Sequence, residues 1–346
     1  MGAPTVYYYD DPGAPVISNG QDGFYQILRA CLIDGYGSKP AAGWSVVHDD
    51  WAASGHASFT NAAGSGVLGL VRATTTDYPP FMYVAQAMID AQTAVNARSG
   101  RIAIADITAF SEGSTQYTQR PWTYRAYAEY WCVIANENFA LFFCSNSLSR
   151  LFSVDPYDGE LRTNFSVGFG SARSLRGLGS VSSAEVGNFI IVGGVYSSVF
   201  SESNGSYRGY WDENNQTYIR AHTILVGADS NFFSGSSFVY LTPLLAKLNT
   251  NDAFGEGADS VVELQLQELI LVVSSSTARY GVQLCGLPMI RGSNFLSSGG
   301  VGWDIVSRFG AVSLKDIVVV AGKPHLTAPV RGGLPVFISL DASDWS

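Results

Sequence analysis

A chain of 346 residues with 47% apolar content can bury a full core without disulfides or metals, as one large β-rich domain or two smaller ones. Charged residues make up only 14%, against about a quarter in ordinary globular proteins, while glycine (37 residues) and aromatics (13%) are abundant. The net charge of -9, with Lys and Arg scattered singly, argues against nucleic acid as a partner, because phosphate neutralisation needs clustered cations. No apolar run reaches membrane-spanning length, and residues 1–11 lack the basic start and apolar core of a signal peptide. Neither membrane insertion nor secretion is expected.

The most informative stretch is Gly13 to Trp44. Phe24, Ile27, Leu28, Cys31 and Leu32 recur at helical spacing on one stripe, which predicts a short helix over about 23–34 packed on a sheet. Asp22 stands where an N-cap carboxylate belongs, and Gly35 where a residue of positive φ ends a helix. At about twelve residues the helix is marginal alone and depends on docking Ile27, Leu28 and Cys31. Gly35, Gly37, Pro40 and Gly43 then deliver Trp44 to a strand. That loop reads as a contact surface or as a plain turn, with the turn favoured.

Short strand candidates follow near Val16, Trp44–His48, Ser58–Asn61 and Val67–Ala73. Residues 81–97 mix an aromatic start with Ala and Met, and the second half reads as helix. Residues 122–146 carry the clearest strand signal: two aromatic and β-branched arms around Asn136-Glu137-Asn138, a central β-hairpin apolar on both faces near its turn. Residues 145–217 are rich in Ser, Gly, Asn and Arg and read as an elaborated loop region, with strands near Leu151–Val154 and Phe189–Gly193, inside a single β-rich domain over 1–346. Later strand candidates are Tyr218–Val226, Ser237–Leu241, Val261–Ser274, Ile317–Val320 and Val336–Leu340. The fold class is therefore mainly β (α+β), built from antiparallel sheets.

Several landmarks carry a family resemblance. Gly13-Ala14-Pro15-Val16, the helix ending in Asp34-Gly35-Tyr36-Gly37-Ser38-Lys39, and Ala41-Ala42-Gly43-Trp44 resemble the opening of a structural protein family of tailed bacteriophages. Trp122, the hairpin from Val133 to Phe143, Asn188–Gly193, Tyr240-Leu241-Thr242-Pro243-Leu244, Leu284–Arg291 and Gly333–Leu340 with Trp345 are similar to its later landmarks, in the same order. Residues 45–115 and 250–280 depart from the pattern. The resemblance implies a virion component at the tail, tail tip or baseplate, present in several copies, with no catalytic residues to carry over. A capsid decoration or neck protein differs only in location. The implied partners are copies of itself and other virion proteins, and the implied location is the virion, after synthesis in the host cytoplasm.

The chain offers little chemistry. Cys31, Cys132, Cys144 and Cys285 form no Cys-x-x-Cys pair and read as buried thiols, with a Cys132–Cys144 cross-strand disulfide as the minor alternative. His48-Asp49-Asp50 with His56 matches no metal-ligand spacing, and Asp155–Glu160 lacks the alternation of a calcium loop. Nucleophile elbows, phosphate loops and dinucleotide fingerprints are absent from the sequence. No enzyme activity, cofactor or metal is expected. Glu129 and Glu137 are the carboxylates a glycosidase reading would use, and Glu129 reads either as outward-facing or as paired with Arg125. A host-receptor or carbohydrate-binding reading rests on Tyr207, Tyr210 and Trp211 as a glycan or partner contact.

Overall fold

The computed structural model describes residues 2–17, 21–72, 80–95, 97–99, 102–103, 129–145, 148, 151, 165–174, 189–193, 238–242, 264–274, 279–292, 315–320, 322–328 and 336–345. The chain is mainly β. In order it runs β1 (Thr5–Tyr8), α1 (Gln21–Arg29), β2 (Ser45–Asp50), α2 (Trp51–Ser54), β3 (His56–Thr60), β4 (Val67–Val71), β5 (Phe81–Ala85), β6 (Ala87–Met88), β7 (Ala94–Val95), β8 (Arg98–Ser99) and β9 (Ile102–Ala103). It continues through β10 (Tyr130–Ala135), β11 (Phe139–Ser145), β12 (Phe165–Ser174), β13 (Phe189–Gly193), β14 (Phe238–Thr242), β15 (Leu264–Ser274), β16 (Arg279–Gly292), β17 (Ile317–Val320), β18 (Lys323–Ala328) and β19 (Val336–Ser339).

Every ladder is antiparallel. The larger sheet has 11 strands along the path β1-β10-β11-β12-β16-β19-β18-β17, with β13 on β12 and the β14–β15 pair on β16. A 6-stranded sheet runs β2-β3-β4-β5-β8-β9, and β6 pairs only with β7. The larger sheet curls until its two ends approach. Lys315, just before β17, places its ammonium 2.6 Å from the Asp10 carboxylate and 4.6 Å from the Tyr8 ring centroid, beside the end of β1.

The main core lies between one face of each sheet. Trp131, Val133, Phe142, Val167 and Phe169 come from the larger sheet, and Ala57, Phe59, Leu68, Leu70, Met82 and Val84 from the smaller. Helix α1 docks into that core through the stripe its sequence displays: Phe24, Ile27, Leu28, Cys31 and Leu32 are fully buried, and Phe24 meets Phe142 edge-on at 4.9 Å. The helical run is longer than a plain α-helix reading. After Arg29 it widens by one residue per turn over Ala30–Asp34, and Gly35, at φ 74°, closes it by donating to the Ala30 carbonyl. Asp22 does not cap it. The helix begins at Gln21, and the Asp22 carboxylate accepts the Trp51 indole N–H at 2.8 Å, fastening α1 to α2.

The 35–44 loop is a turn, exposed at Gly37, Ser38, Pro40 and Gly43 and anchored inward by its larger side chains. Tyr36 and Lys39 bridge each other; the Tyr36 hydroxyl donates to Asp11, and the Lys39 ammonium to the Val6 carbonyl at 2.7 Å. Trp44 then enters the core edge-on to Phe169 and Phe189.

Residues 81–97 correct the sequence expectation, since the described part of their second half contains strand and turn where helix was expected. All five residues of β5, the aromatic start, are buried between the flanking strands β4 and β8, and beyond it the pairing of β6 with β7 overrides the helix propensity of Ala and Met. The chain reverses through Ile89–Thr93 before β7 returns. On β4, Gly69 faces Tyr83 across the ladder, and the phenol ring fills the space a Cβ at 69 would need. Val16 lies outside any strand. The candidates at 152–154 and 218–226, like residues 122–128 of the expected hairpin arm, fall outside the described residues.

The β10–β11 hairpin is buried on both faces, from Trp131 to Ala135 and from Phe139 to Cys144. The two asparagines of its turn are buried too, with Glu137 half-buried between them. Asn136 is 2% exposed, and its side-chain oxygen accepts the N–H groups of Asn138 and Phe139, both at 2.9 Å, while its amide donates to the Trp345 carbonyl. The Asn136 carbonyl takes the Trp44 indole N–H at 2.9 Å. The Ala62 N–H reaches the Glu137 carbonyl, and the Ser171 N–H and the Asn61 amide reach that of Asn138. Replacing Asn136 with Ala removes the acceptor for two backbone donors and the donor to Trp345. Each buried group left unpaired costs about 1–3 kcal/mol, so the variant should lose about 3 kcal/mol or more of unfolding free energy, measured by urea titration.

Candidate functional site

The acidic and histidine-bearing segment from His48 to His56 lies on the β2–β3 hairpin, and its Asp49 is spent on local structure. Asp49 accepts the Tyr25 hydroxyl at 2.7 Å and pairs with Arg29, which also binds Asp34 at 2.8 Å. The hydrogen bonds that Arg29 donates to the Tyr25 oxygen and the Asp34 carboxylate push its guanidinium further toward the charged form. Tyr25 stacks on Trp51 at 4.7 Å and 8°, and Arg72 lies 5.0 Å from the Trp51 ring centroid. This ladder of rings and cations welds α1 to the smaller sheet. His56 is buried opposite Asp50, and burial holds its imidazole below the ordinary range. Among the described residues, no three His, Cys, Asp or Glu side chains come together in a way that would hold a metal.

Cys31, Cys132 and Cys144 are buried free thiols, and burial pushes each well above its usual range. Cys132 stands opposite Phe143 and Cys144 opposite Trp131, so the two sulfurs point to opposite faces of the hairpin and do not pair. The side chain of Cys285 is not described. Glu129 is exposed at the start of β10, and Glu137 sits in the turn at its other end, holding the Gly2 N–H at 2.8 Å. Six extended residues separate them, about 20 Å of chain, well beyond the roughly 5–9.5 Å that glycosidase carboxylates span. Asp155–Glu160, Arg125 and the aromatic trio Tyr207, Tyr210 and Trp211 lie outside the described residues.

The feature that does stand out is a strand edge. β17 ends the path of the larger sheet, and its Ile317 and Val319 are 59% and 67% exposed on one face. The ladder register shows which backbone groups are left over. Thr327 N–H donates to the Asp316 carbonyl, so 316 and 327 are a hydrogen-bonded pair, and alternation makes 318 and 325 the next. The N–H and C=O of Ile317 and Val319 therefore point away from β18, outward along the sheet edge.

Two other edges are shielded. On β1, the outward carbonyls of Val6 and Tyr8 and the Tyr8 N–H are taken by Lys39, the Tyr36 hydroxyl and Asp11. On β2, a bulge between Val46 and His48 and the charges of Asp49 and Asp50 interrupt the row. Ile317-Val318-Val319-Val320 has no charge, no proline and no bulge. The sequence marked this segment as a strand, but edge position depends on long-range pairing that no local pattern displays.

No family model and no curated protein matches the chain.

A second buried imidazole lies beside that edge. His325, on β18, is fully buried, donates its Nδ1–H to the Lys323 carbonyl, and leaves Nε2 without a partner. Burial holds it, like His56, below the ordinary value. The unfolded chain, with imidazoles near pH 6.5, then binds more protons than the folded one under acid conditions. The stability these two groups contribute is full above about pH 6.5 and is lost as the pH falls toward and through the lower folded values. Urea midpoints at neutral and mildly acid pH should show wild type losing more than a His56→Gln, His325→Gln double variant; equal losses would remove these imidazoles as the cause.

Proposed function

We propose that this chain is a structural component of a tailed-phage particle, present in several copies at the tail, tail tip or baseplate. The observation that carries the assembly part of this reading is the unshielded apolar edge of β17, a surface suited to strand addition and costly to leave in water. Two further features support it. Charged residues are 14% of the chain, so little has to be desolvated when faces are covered. Several of the cations present are already paired within the chain: Arg29 with Asp34 and Asp49, Lys39 with Asp11, Lys315 with Asp10 and Lys323 with Asp344. The virion and tail assignments draw on the family resemblance in the sequence. Among the described residues no helix is long and apolar enough to cross a membrane.

The test is composition. Purified particles of the phage that encodes the chain, analysed by quantitative mass spectrometry and by labelled-antibody electron microscopy, should contain it at several copies per particle and at the tail. Particles assembled without a trace of it would overturn the reading, and label on the head or neck would move it to the decoration or neck alternative.

A further inference from the structure

We infer that β17 pairs with β17 of a second copy, antiparallel and about a two-fold axis at Val318, so that two of the curled sheets join edge to edge. This rests on the multi-copy reading above and names its contact.

The geometry is self-complementary. The outward N–H and C=O of Ile317 and Val319 repeat at the spacing an antiparallel partner needs. With Val318 facing its own copy, Ile317 falls opposite Val319 and Val319 opposite Ile317, and each of these two pairs exchanges two hydrogen bonds. The exposed side chains of Ile317 and Val319 then lie side by side on one face, where cross-strand contact between β-branched residues is favourable. Charge does not oppose it. In this register Asp316 falls opposite Val320, and Lys315 is already held by Asp10, so no like charges meet across the axis.

Lys315 also positions the edge. It is the one non-glycine residue of positive φ among the described residues, at 80°, and its ammonium is fixed between the Asp10 carboxylate and the Tyr8 ring. The chain entering β17 is thus tied down beside β1, and the edge is presented on a firm support. A ladder this short covers far less than the roughly 1,600 Å² of a standard stable interface, so pairing in free solution is weak and rises with concentration. Inside a particle, where neighbours are held close, the same contact becomes effectively intramolecular.

Sedimentation velocity across a wide concentration series should show the full chain passing from monomer to dimer. Amide exchange followed residue by residue should show Ile317 and Val319 gaining protection as the dimer forms, while Val318, bonded within the chain, stays protected throughout. Val319→Pro deletes an outward N–H without touching the β17–β18 ladder, and should weaken dimerisation about tenfold or more at unchanged melting temperature. Val319→Lys, which keeps the backbone, serves if the proline variant fails to fold, and Val319→Thr should dimerise like wild type.

A chain that stays monomeric at every concentration, or a dimer whose new protection lies elsewhere, overturns the pairing and leaves the edge to a strand of another protein. A monomer that is nonetheless found in particles sinks this inference and spares the virion reading; a β17-paired dimer absent from particles does the reverse.

Discussion

The structure hangs on a polar three-residue turn whose two asparagines are shut away from water. A buried backbone group without a partner costs about as much as a lost hydrogen bond, so the Asn136–Asn138 turn can exist only if every segment that serves it arrives in place. Those segments come from across the sequence: Trp44, the Asn61–Ala62 corner, Ser171 on β12, and Trp345 near the far end. Asn61 is itself tied to Ser65 and Ser171, so the corner between β3 and β4 and the strand β12 are fixed to each other as well as to the turn. One asparagine side chain both shapes the hairpin and sets the docking of the smaller sheet and the C-terminal segment. Gly170, at φ 138° against the Asn138 carbonyl and Phe139, shows how closely β12 approaches this turn.

Around that hub the chain uses its few charges sparingly and mostly for fastening. Arg29 and Arg72 bind α1 and α2 to the smaller sheet through Tyr25, Trp51, Asp49 and Asp22. Lys39 seals the β1 edge, and Lys323 holds Asp344 beside the last strands. Most of these pairs are partly solvated, and each contributes little to stability. Their value lies in geometry: they decide which surfaces are closed. The β17 edge that they leave open is apolar, and so the absence of charge there is a property of place as well as of composition.

Much of the fold could be read locally. The α1 stripe, the Gly35 stop, the β10–β11 hairpin, and β2, β3, β4, β13, β14, β15, β17 and β19 each carry a periodicity or a turn signal that survives in three dimensions. The failures share a cause. Asn136-Glu137-Asn138 looks like any solvated turn, and its burial arises from segments distant in sequence. The second half of residues 81–97 has helical composition, and only the pairing of β6 with β7 makes it strand and turn. β12 and β16 are interrupted by glycines and, in β16, Pro288, which break any alternating pattern, and β1 is too short to announce itself. Of the site, the segment Ile317–Val320 was legible as a strand, while its outward row of amides follows from the register with β18 and so from tertiary structure alone.

The same turn has a topological corollary. Gly2 donates its N–H to Glu137, and Trp345 gives its carbonyl to Asn136, so both extremities of the described chain are moored to adjacent residues at one corner of the molecule. Whatever is appended at either extremity must emerge there, and a short linker joining the two would close the polypeptide into a ring without disturbing the sheets. New termini could then be opened in a surface loop, leaving the hub and the free edge as they are.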